Sequence, residues 1–401
     1  MPARLSRPVL GVSLMAFFFV VFDGILMYLA PVMMVEAGIT ESVMGLILGS
    51  SSIFGVFFDI FLCRMLKETH YRRLFFLMMI LAALYPLAIV GRADVGIFII
   101  GMALWGFYYD LYNLGMLDFV GRTTRHEEHA DTFGVIRVFD GLGYLIAPFL
   151  ASLLILRAGS TQELIITLWS ILAIAFLWYA TLIWMRIKDV VHATPLAETE
   201  ERPLNFSRTL IAIGKILSPV LMLTLTINII DSFFWTAGPL LSEKLMHDVG
   251  ILGGAFLVAY GIPPLVAGWF VGRISNGYGK KRTAFAALFF GSLMLVSTSF
   301  VEFGPWYIAI AFFASLGFAT AWPAMNAAYA DYISETPEYE KEIATLDDIF
   351  TNIGDVLGPV AAGFAAQYLG YELAFTALGV AGCVVAVGLF LVTPRSITVR
   401  V

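Results

Sequence analysis

A pattern of polar and helix-bending residues inside long apolar runs occurs twice in this chain, and it constrains the fold more than any other feature. The first apolar span carries Asp23 and then Pro31; a span near the middle carries Asp231 and then Pro239, again eight residues apart. The fourth span holds Asn113 and Asp118, and the tenth holds Asn326 and Asp331, both five apart. The fifth reads Gly143-x-x-x-Ala147-Pro148 and the eleventh Gly354-x-x-x-Gly358-Pro359. Partners in the three pairs lie 208 to 213 positions apart and in the same order. Two copies of one six-span unit account for this. An internal repeat in a membrane protein points to a transporter whose solute site lies between the halves.

The chain is 60% hydrophobic and 13% charged, with a mean hydropathy of +0.86. A soluble domain has about 25% charged residues, so most of these side chains must face lipid or other buried helices. The length of 401 residues fits about twelve spans of about 20 residues. The apolar runs are too long and continuous for alternating barrel strands, which makes the protein helical. Spans are expected at 8–30, 42–63, 72–91, 94–117, 132–156, 163–186, 216–241, 250–272, 283–302, 305–329, 346–368 and 373–393. The expected organisation is a six-helix bundle over 1–186, a cytoplasmic linker over 187–212 and a second six-helix bundle over 213–401. The linker carries His192, Pro195, Glu198, Glu200, Glu201 and Arg202. The net charge of −6 says little about partners, because the charges sit mainly in loops; no nucleic-acid partner is expected. Cys63 and Cys383 lie in or beside apolar spans, so no disulfide framework is expected. A cleavable signal peptide is not expected either, because the first span is long, contains Asp23 and is followed by Pro31.

Orientation follows from Lys and Arg. With the N-terminus inside, 20 of the 24 basic residues fall on the cytoplasmic side; Arg92, Arg157 and Lys244 fall outside, and Arg137 lies within a span. This imbalance places both termini in the cytoplasm of a plasma (inner) membrane protein. The sequon Asn205-Phe206-Ser207 then sits on the cytoplasmic side, where glycosylation is not expected.

The loop after the eighth span reads Gly272-Arg-Ile-Ser-Asn276-Gly-Tyr-Gly279-Lys280-Lys281-Arg282. It resembles the Gly-x-x-x-Asp-Arg-x-Gly-Arg-Arg loop of the major facilitator superfamily, with Asn276 in place of the acid. In the first half the copy is reduced to Gly55-x-x-x-Asp59 with Arg64, Arg72 and Arg73 as the basic cluster. The resemblance covers essentially the whole chain. It implies twelve transmembrane helices in two pseudo-symmetric six-helix bundles, a central cavity lined by helices 1, 4, 7 and 10, and a monomer without cofactor. It also implies a cytoplasmic gate formed by Asp59, Arg64, Gly272, Asn276, Gly279 and Arg282. The Gly354–Pro359 run resembles a motif of the superfamily's antiporters; the fifth-span copy has Ala147, Ala151 and Ser152 where that motif has glycines. Small-residue helix packing with a proline bend explains both runs as well. The fourth span lacks the Arg that many proton antiporters of the superfamily carry there; its polar residues are Asp110, Asn113 and Asp118.

Charged residues in mid-span are costly and face a bundle interior or a wet cavity. Asp23 and Asp231 lie past the middle of their spans, and by the resemblance they approach the cavity as pseudo-symmetric partners. Burial favours the neutral form of a carboxylic acid, which makes both candidates for reversible protonation; a hydrogen-bonded packing role is the alternative. Arg137 is the only basic residue deep in a span, with Asp140 at i+3 on the same face. An isolated buried Arg is not tolerated, so Asp140 or Asp110 is its expected counter-ion. Asp355 lies mid-span in the eleventh helix with Asn352 nearby, while Asp347 and Asp348 lie nearer the cytoplasm. All five histidines fall in the expected loops, so any proton coupling must use carboxylates. His126-Glu-Glu-His129 reads as a solvated loop rather than a metal site, and no Walker loop is present because Ile274 stands where the earlier Gly is required. Aromatic residues crowd the fourth, seventh and tenth spans: Trp105, Phe107, Tyr108, Tyr109, Tyr112, Phe233, Phe234, Trp235, Trp322 and Tyr329. With Asn228, Asn326 and Asn352 they suit a ring-bearing or amphipathic solute.

The expectation is therefore a secondary transporter of a small molecule, not an enzyme, working by alternating access in a lipid bilayer. Proton-coupled export of an amphipathic organic compound comes first, with Asp23, Asp110, Asn113, Arg137, Asp140, Asn228, Asp231, Asn326, Asn352 and Asp355 as substrate or coupling residues. Proton-linked uptake or facilitated diffusion of a polar metabolite such as a sugar comes second. A non-transporting sensor or lipid-handling protein is the alternative of another class.

Overall fold

The computed structural model describes residues 6–66, 69–125, 128–157, 159–185 and 206–393, without the side chains of 58–66, 130, 206–208, 251, 269, 276 and 337. These residues form twelve long helices: α1 (Arg7–Glu36), α2 (Glu41–Leu66), α3 (Tyr71–Ile89), α4 (Val95–Thr123), α5 (His129–Arg157), α6 (Thr161–Trp184), α7 (Phe206–Val249), α8 (Ala255–Tyr278), α9 (Lys280–Val296), α10 (Trp306–Glu335), α11 (Glu340–Leu369) and α12 (Tyr371–Val392). Ten contain an apolar stretch long enough to cross a bilayer, and α2 and α8 carry shorter apolar stretches at Glu41–Phe57 and Leu252–Gly268. Short polar signals start the helices. The Ser6 hydroxyl caps α1 with proline just inside, the Asp94 carboxylate accepts from Ile97 N at 3.1 Å to open α4, and on α6 the Ser160 hydroxyl accepts from Glu163 N at 3.3 Å while the Glu163 carboxylate accepts from Gly159 N at 2.9 Å. Gly279, at φ +88°, and Gly370, at φ +78°, turn α8 into α9 and α11 into α12 with no residue to spare.

The helices fall into two units. Unit 1 comprises Met1–Ile39 and Ser50–Glu200, and unit 2 comprises Thr40–Gly49 and Glu201–Val401. Residues 187–205 of the expected linker, with His192, lie outside the described residues, as do His126 and Glu127. Helix α7 begins at Phe206, ahead of the expected boundary at 213, and runs to Val249, so that His247 falls inside a helix. Pro219 and Pro239 lie inside this long helix without ending it.

In unit 1, α1 is the centre. Met15, Phe19, Phe22 and Tyr28 are all fully buried on it. Apolar burial gains little where the alternative is lipid, so close packing must hold such helices together. The contacts show how close. A Cβ on Gly143 of α5 would lie 3.1 Å from Phe17 O and 3.1 Å from Val20 Cβ of α1. In unit 2 a Cβ on Gly354 of α11 would lie 3.1 Å from Leu225 O and 2.6 Å from Asn228 Cβ of α7. Phe17 and Leu225, like Val20 and Asn228, are 208 residues apart. The next contact repeats too: a Cβ on Gly24 would meet Ala147 Cβ at 2.6 Å, and one on Gly358 would meet Ser232 Cβ at 2.6 Å. The sequence repeat is thus a repeat of packing: the first glycine sits on equivalent helices, α5 and α11, and at the second contact the glycine has changed sides, from α1 in unit 1 to α11 in unit 2.

The repeat extends to one end of each unit. Asp118 accepts from Tyr71 N at 2.7 Å and from Arg122 Nε at 2.7 Å, which ties the end of α4 to the start of α3. Asp331, 213 residues later, holds Lys280 at the start of α9.

Candidate functional site

Four aromatic residues of α4, Trp105, Tyr108, Tyr109 and Tyr112, are spaced i, i+3, i+4 and i+7 and so share one face. Two of them, Trp105 and Tyr108, reach the carboxylate of Asp23, which is fully buried on α1. Trp105 Nε1 donates to Oδ1 at 2.9 Å, the Tyr108 hydroxyl donates to Oδ1 at 2.6 Å, and the Tyr144 hydroxyl of α5 donates to Oδ2 at 3.1 Å. Three donors replace the water a carboxylate would lose on burial. The rings pack on one another: Trp105 stacks on Tyr109 with centroids 5.5 Å apart, and Phe19 stacks on Tyr112 at 5.0 Å. Trp105 and Tyr109 are only half-buried and present ring surface.

Asp140 lies one turn before Tyr144 on α5 and is buried, accepting from the Tyr112 hydroxyl at 2.6 Å. Its contact with Arg137 is loose, at 3.8 Å, and the Arg137 side chain is 69% exposed. Asp140 is thus the partner of Arg137, as one of the two expected counter-ions, but the arginine itself is exposed rather than buried, and the long contact is worth little. Asp110 points to α2, with Oδ2 3.3 Å from where a Cβ on Gly55 would be. Asn113 is half-buried on α4.

In unit 2, Asp231 on α7 accepts from the Tyr260 hydroxyl of α8 at 2.8 Å. The sequence pairs it with Asp23, yet one donor replaces three. Asp355 on α11 accepts from the Ser232 hydroxyl at 2.8 Å, which brings the two carboxylates onto neighbouring α7 positions. Asn228 donates to Thr224 O at 2.8 Å and to Thr351 Oγ1 at 3.4 Å. Two expected members stand apart: Asn352 donates to Asp348 O of its own helix at 2.8 Å, and Asn326 is exposed on α10. Of the expected gate, the side chains of Asp59, Arg64 and Asn276 lie outside the described residues. Gly272 is open on all sides, Gly279 supplies the turn, and Arg282 is exposed.

Tyr144, Tyr260, Thr224, Ser232 and Thr351 escaped the sequence reading. For all but Tyr260 the signal was the four-residue spacing of polar positions, 140 to 144 on α5, 224 to 228 to 232 on α7 and 347 to 351 to 355 on α11. Attention to charged residues alone misses it.

The sequence profile of the Major Facilitator Superfamily matches residues 12–339 and 221–400. No curated protein matches the chain in sequence. In fold it is similar to the nucleoside transporter NupG, with a TM-score of 0.75 at 14% identity over 96% of this chain and 99% of that one. It is also similar to a bacterial homologue of the human lysosomal transporter Spinster, described as inward-facing and unoccupied, with a TM-score of 0.70 at 13% identity over 96% of each chain. A POT family transporter in complex with a thioalcohol-conjugated peptide gives a TM-score of 0.69 at 13% identity, again over 96% of each chain. Twelve helices in two units with a shared packing repeat, together with a profile match from end to end, place this membrane-spanning chain in the Major Facilitator Superfamily of transporters.

Proposed function

We propose that the protein couples proton movement to the export of an amphipathic, ring-bearing organic solute. The carrying observation is Asp23: a carboxylate in the first membrane helix, held by Trp105, Tyr108 and Tyr144 beside the stacked rings of Trp105 and Tyr109. A carboxylate there is expensive to keep, and helix packing does not need it. Ring faces bind aromatic or cationic groups, and the acid binds either a proton or a positively polarised part of the solute. Mutual exclusion of the two is a sufficient basis for coupling. Asp231, with its single donor, is the second exchangeable acid. The excess of Lys and Arg in the same alternate loops supports cytoplasmic termini, and a monomer suffices for this scheme.

Proton-linked uptake of a polar, ring-bearing metabolite is the second reading. It draws on the likeness in fold to the nucleoside transporter NupG. A thermal-shift screen of the purified protein at pH 5.5 and 7.5 separates the two. A ligand that binds the native state raises the melting temperature by mass action. Stabilisation by hydrophobic organic cations that weakens at acid pH is the expected result. Stabilisation by nucleosides or sugars alone would replace export of an amphipathic compound with the second reading.

A further inference from the structure

Helices α7 and α11 are joined by three polar rungs at constant register. Thr224 Oγ1 lies 3.1 Å from Asp347 Oδ1, Asn228 Nδ2 lies 3.4 Å from Thr351 Oγ1, and Ser232 Oγ lies 2.8 Å from Asp355 Oδ1. Each pair is separated by 123 residues, so two parallel helices present polar residues every fourth position to one another. At 1.5 Å per residue the ladder climbs about 12 Å from Asp347 to Asp355. Its lower rung is extended by the Tyr329 hydroxyl of α10, 2.9 Å from Thr224 Oγ1. Its upper rung adjoins Asp231, which is held by Tyr260 of α8.

Packing does not require this ladder. The equivalent crossing in unit 1, fixed by Gly143 and Gly354, aligns Thr224, Asn228 and Ser232 with Ala16, Val20 and Gly24. It aligns Asp347, Thr351 and Asp355 with Ile136, Asp140 and Tyr144. The same helices cross there with apolar or small residues on the α1 side. Polar groups inside a membrane bundle need a partner at every position, and unit 2 supplies one at each rung where unit 1 shows a simpler solution.

We propose that the α7–α11 ladder is the proton path of this transporter, carrying protons between Asp347 at the basic end of unit 2 and the Asp355–Asp231 pair. The inference rests on the proton-coupled reading above and gives the second exchangeable acid, Asp231, a route for its proton through unit 2, while Asp23 in the aromatic nest of unit 1 remains the acid at which proton and solute exclude one another. Successive rungs lie about 6 Å apart along the helices, so each transfer from one rung to the next passes through a water that takes a proton from one hydroxyl and gives its own to the next. Each hydroxyl of Thr224, Thr351 or Ser232 accepts a proton on one side and releases its own on the other. The relays end unchanged, Asp347 passes from acid to carboxylate and Asp355 from carboxylate to acid. Asn228 exchanges no proton; its amide donates to the Thr351 oxygen and keeps that hydroxyl's own hydrogen directed onward. The titratable groups facing the path are Asp348 beside Asp347, Tyr329 from α10, Asp231 from α7 and Tyr260 from α8.

The kinetic part of the test needs no solute; the flux part uses ethidium and uridine as probes. In proteoliposomes, a pH step is followed by time-resolved infrared absorption of the carboxylic acid band, assigned to Asp355 by its loss in Asp355→Asn. Thr351→Val and Ser232→Ala remove hydroxyls with little change of volume. They are expected to slow the appearance of the band by roughly 100-fold, the low end of what a positioned proton-transfer group contributes, while Thr351→Ser restores it. Unchanged kinetics in both variants, or no Asp355 band in the unmodified protein, overturns the path. Solute-driven proton flux that survives in Thr351→Val would overturn the path and leave proton coupling itself standing, whereas its absence in the unmodified protein would remove the coupling reading first.

Discussion

The α1–α5 crossing of unit 1 lends itself to a quantitative trial, because unit 2 has solved the same problem the other way round. A Cβ on Gly24 would lie 2.6 Å from Ala147 Cβ. Carbon atoms pack comfortably at about 3.5–4.0 Å, so Gly24→Ala forces the two helices apart by about 1 Å. Overpacking of this kind costs about 1–3 kcal/mol, which for a unit of this size lowers Tm by roughly 2–4 °C per kcal/mol. Unit 2 places a Ser at the matching α7 position and Gly358 on α11. Combining Gly24→Ala with Ala147→Gly therefore reproduces the pairing of unit 2 and is expected to recover most of the loss. Recovery is not complete, because a Cβ on Gly24 also lies 3.2 Å from Tyr144 Cδ1, and Tyr144 is held in place by Asp23. The assay is thermal unfolding of detergent-solubilised protein followed by intrinsic fluorescence for the parent, both single variants and the double variant. A Gly24→Ala protein as stable as its parent, or a double variant no better than that single one, would refute the packing argument.

Other perturbations follow from the same contacts. Tyr108→Phe removes the shortest donor to Asp23 and is expected to cost about 1.5–3 kcal/mol where the partner is charged; thermal unfolding at pH 7.5 reads it. Arg137→Ala is expected to change stability by no more than about 1 kcal/mol, as suits an exposed and loose pair. A larger loss in the same unfolding assay would reveal a partner other than Asp140. Asp118→Ala removes the acceptor that binds Tyr71 N and is expected to cost about 0.5–2 kcal/mol, the worth of a helix cap, with faster hydrogen exchange confined to the first turn of α3.

Most of the architecture was legible in the sequence because the bilayer imposes it. Long apolar runs have one solution, and Gly143, Gly354 and Gly358 mark crossings where only a small residue fits. The start of α7 at Phe206 was not legible, since a polar stretch beyond the membrane can extend a helix without changing the apolar pattern. In the candidate site, Asp23 and Asp231 stand out in the sequence by their charge and by the repeated Asp–Pro spacing, but their different surroundings do not. Whether one donor or three reach a carboxylate depends on which faces of α4, α5 and α8 turn toward it, and Tyr144 and Tyr260 look like ordinary membrane aromatics in the sequence. Of Arg137 the sequence indicated the partner, Asp140, but not the exposure, because depth along a span does not say how far a side chain is covered by its neighbours.

The central claim is that solute movement and proton movement are one process. The most direct measurement reconstitutes the protein in liposomes containing a pH-sensitive dye and adds ethidium, a planar hydrophobic cation, and then uridine, without any imposed pH gradient. The account predicts that one of the two drives an alkaline or acid shift of the lumen, and that the shift is abolished in Asp231→Asn while binding persists in the thermal-shift assay. Solute flux without any proton movement, or a shift undiminished in Asp231→Asn and Asp23→Asn alike, would contradict it.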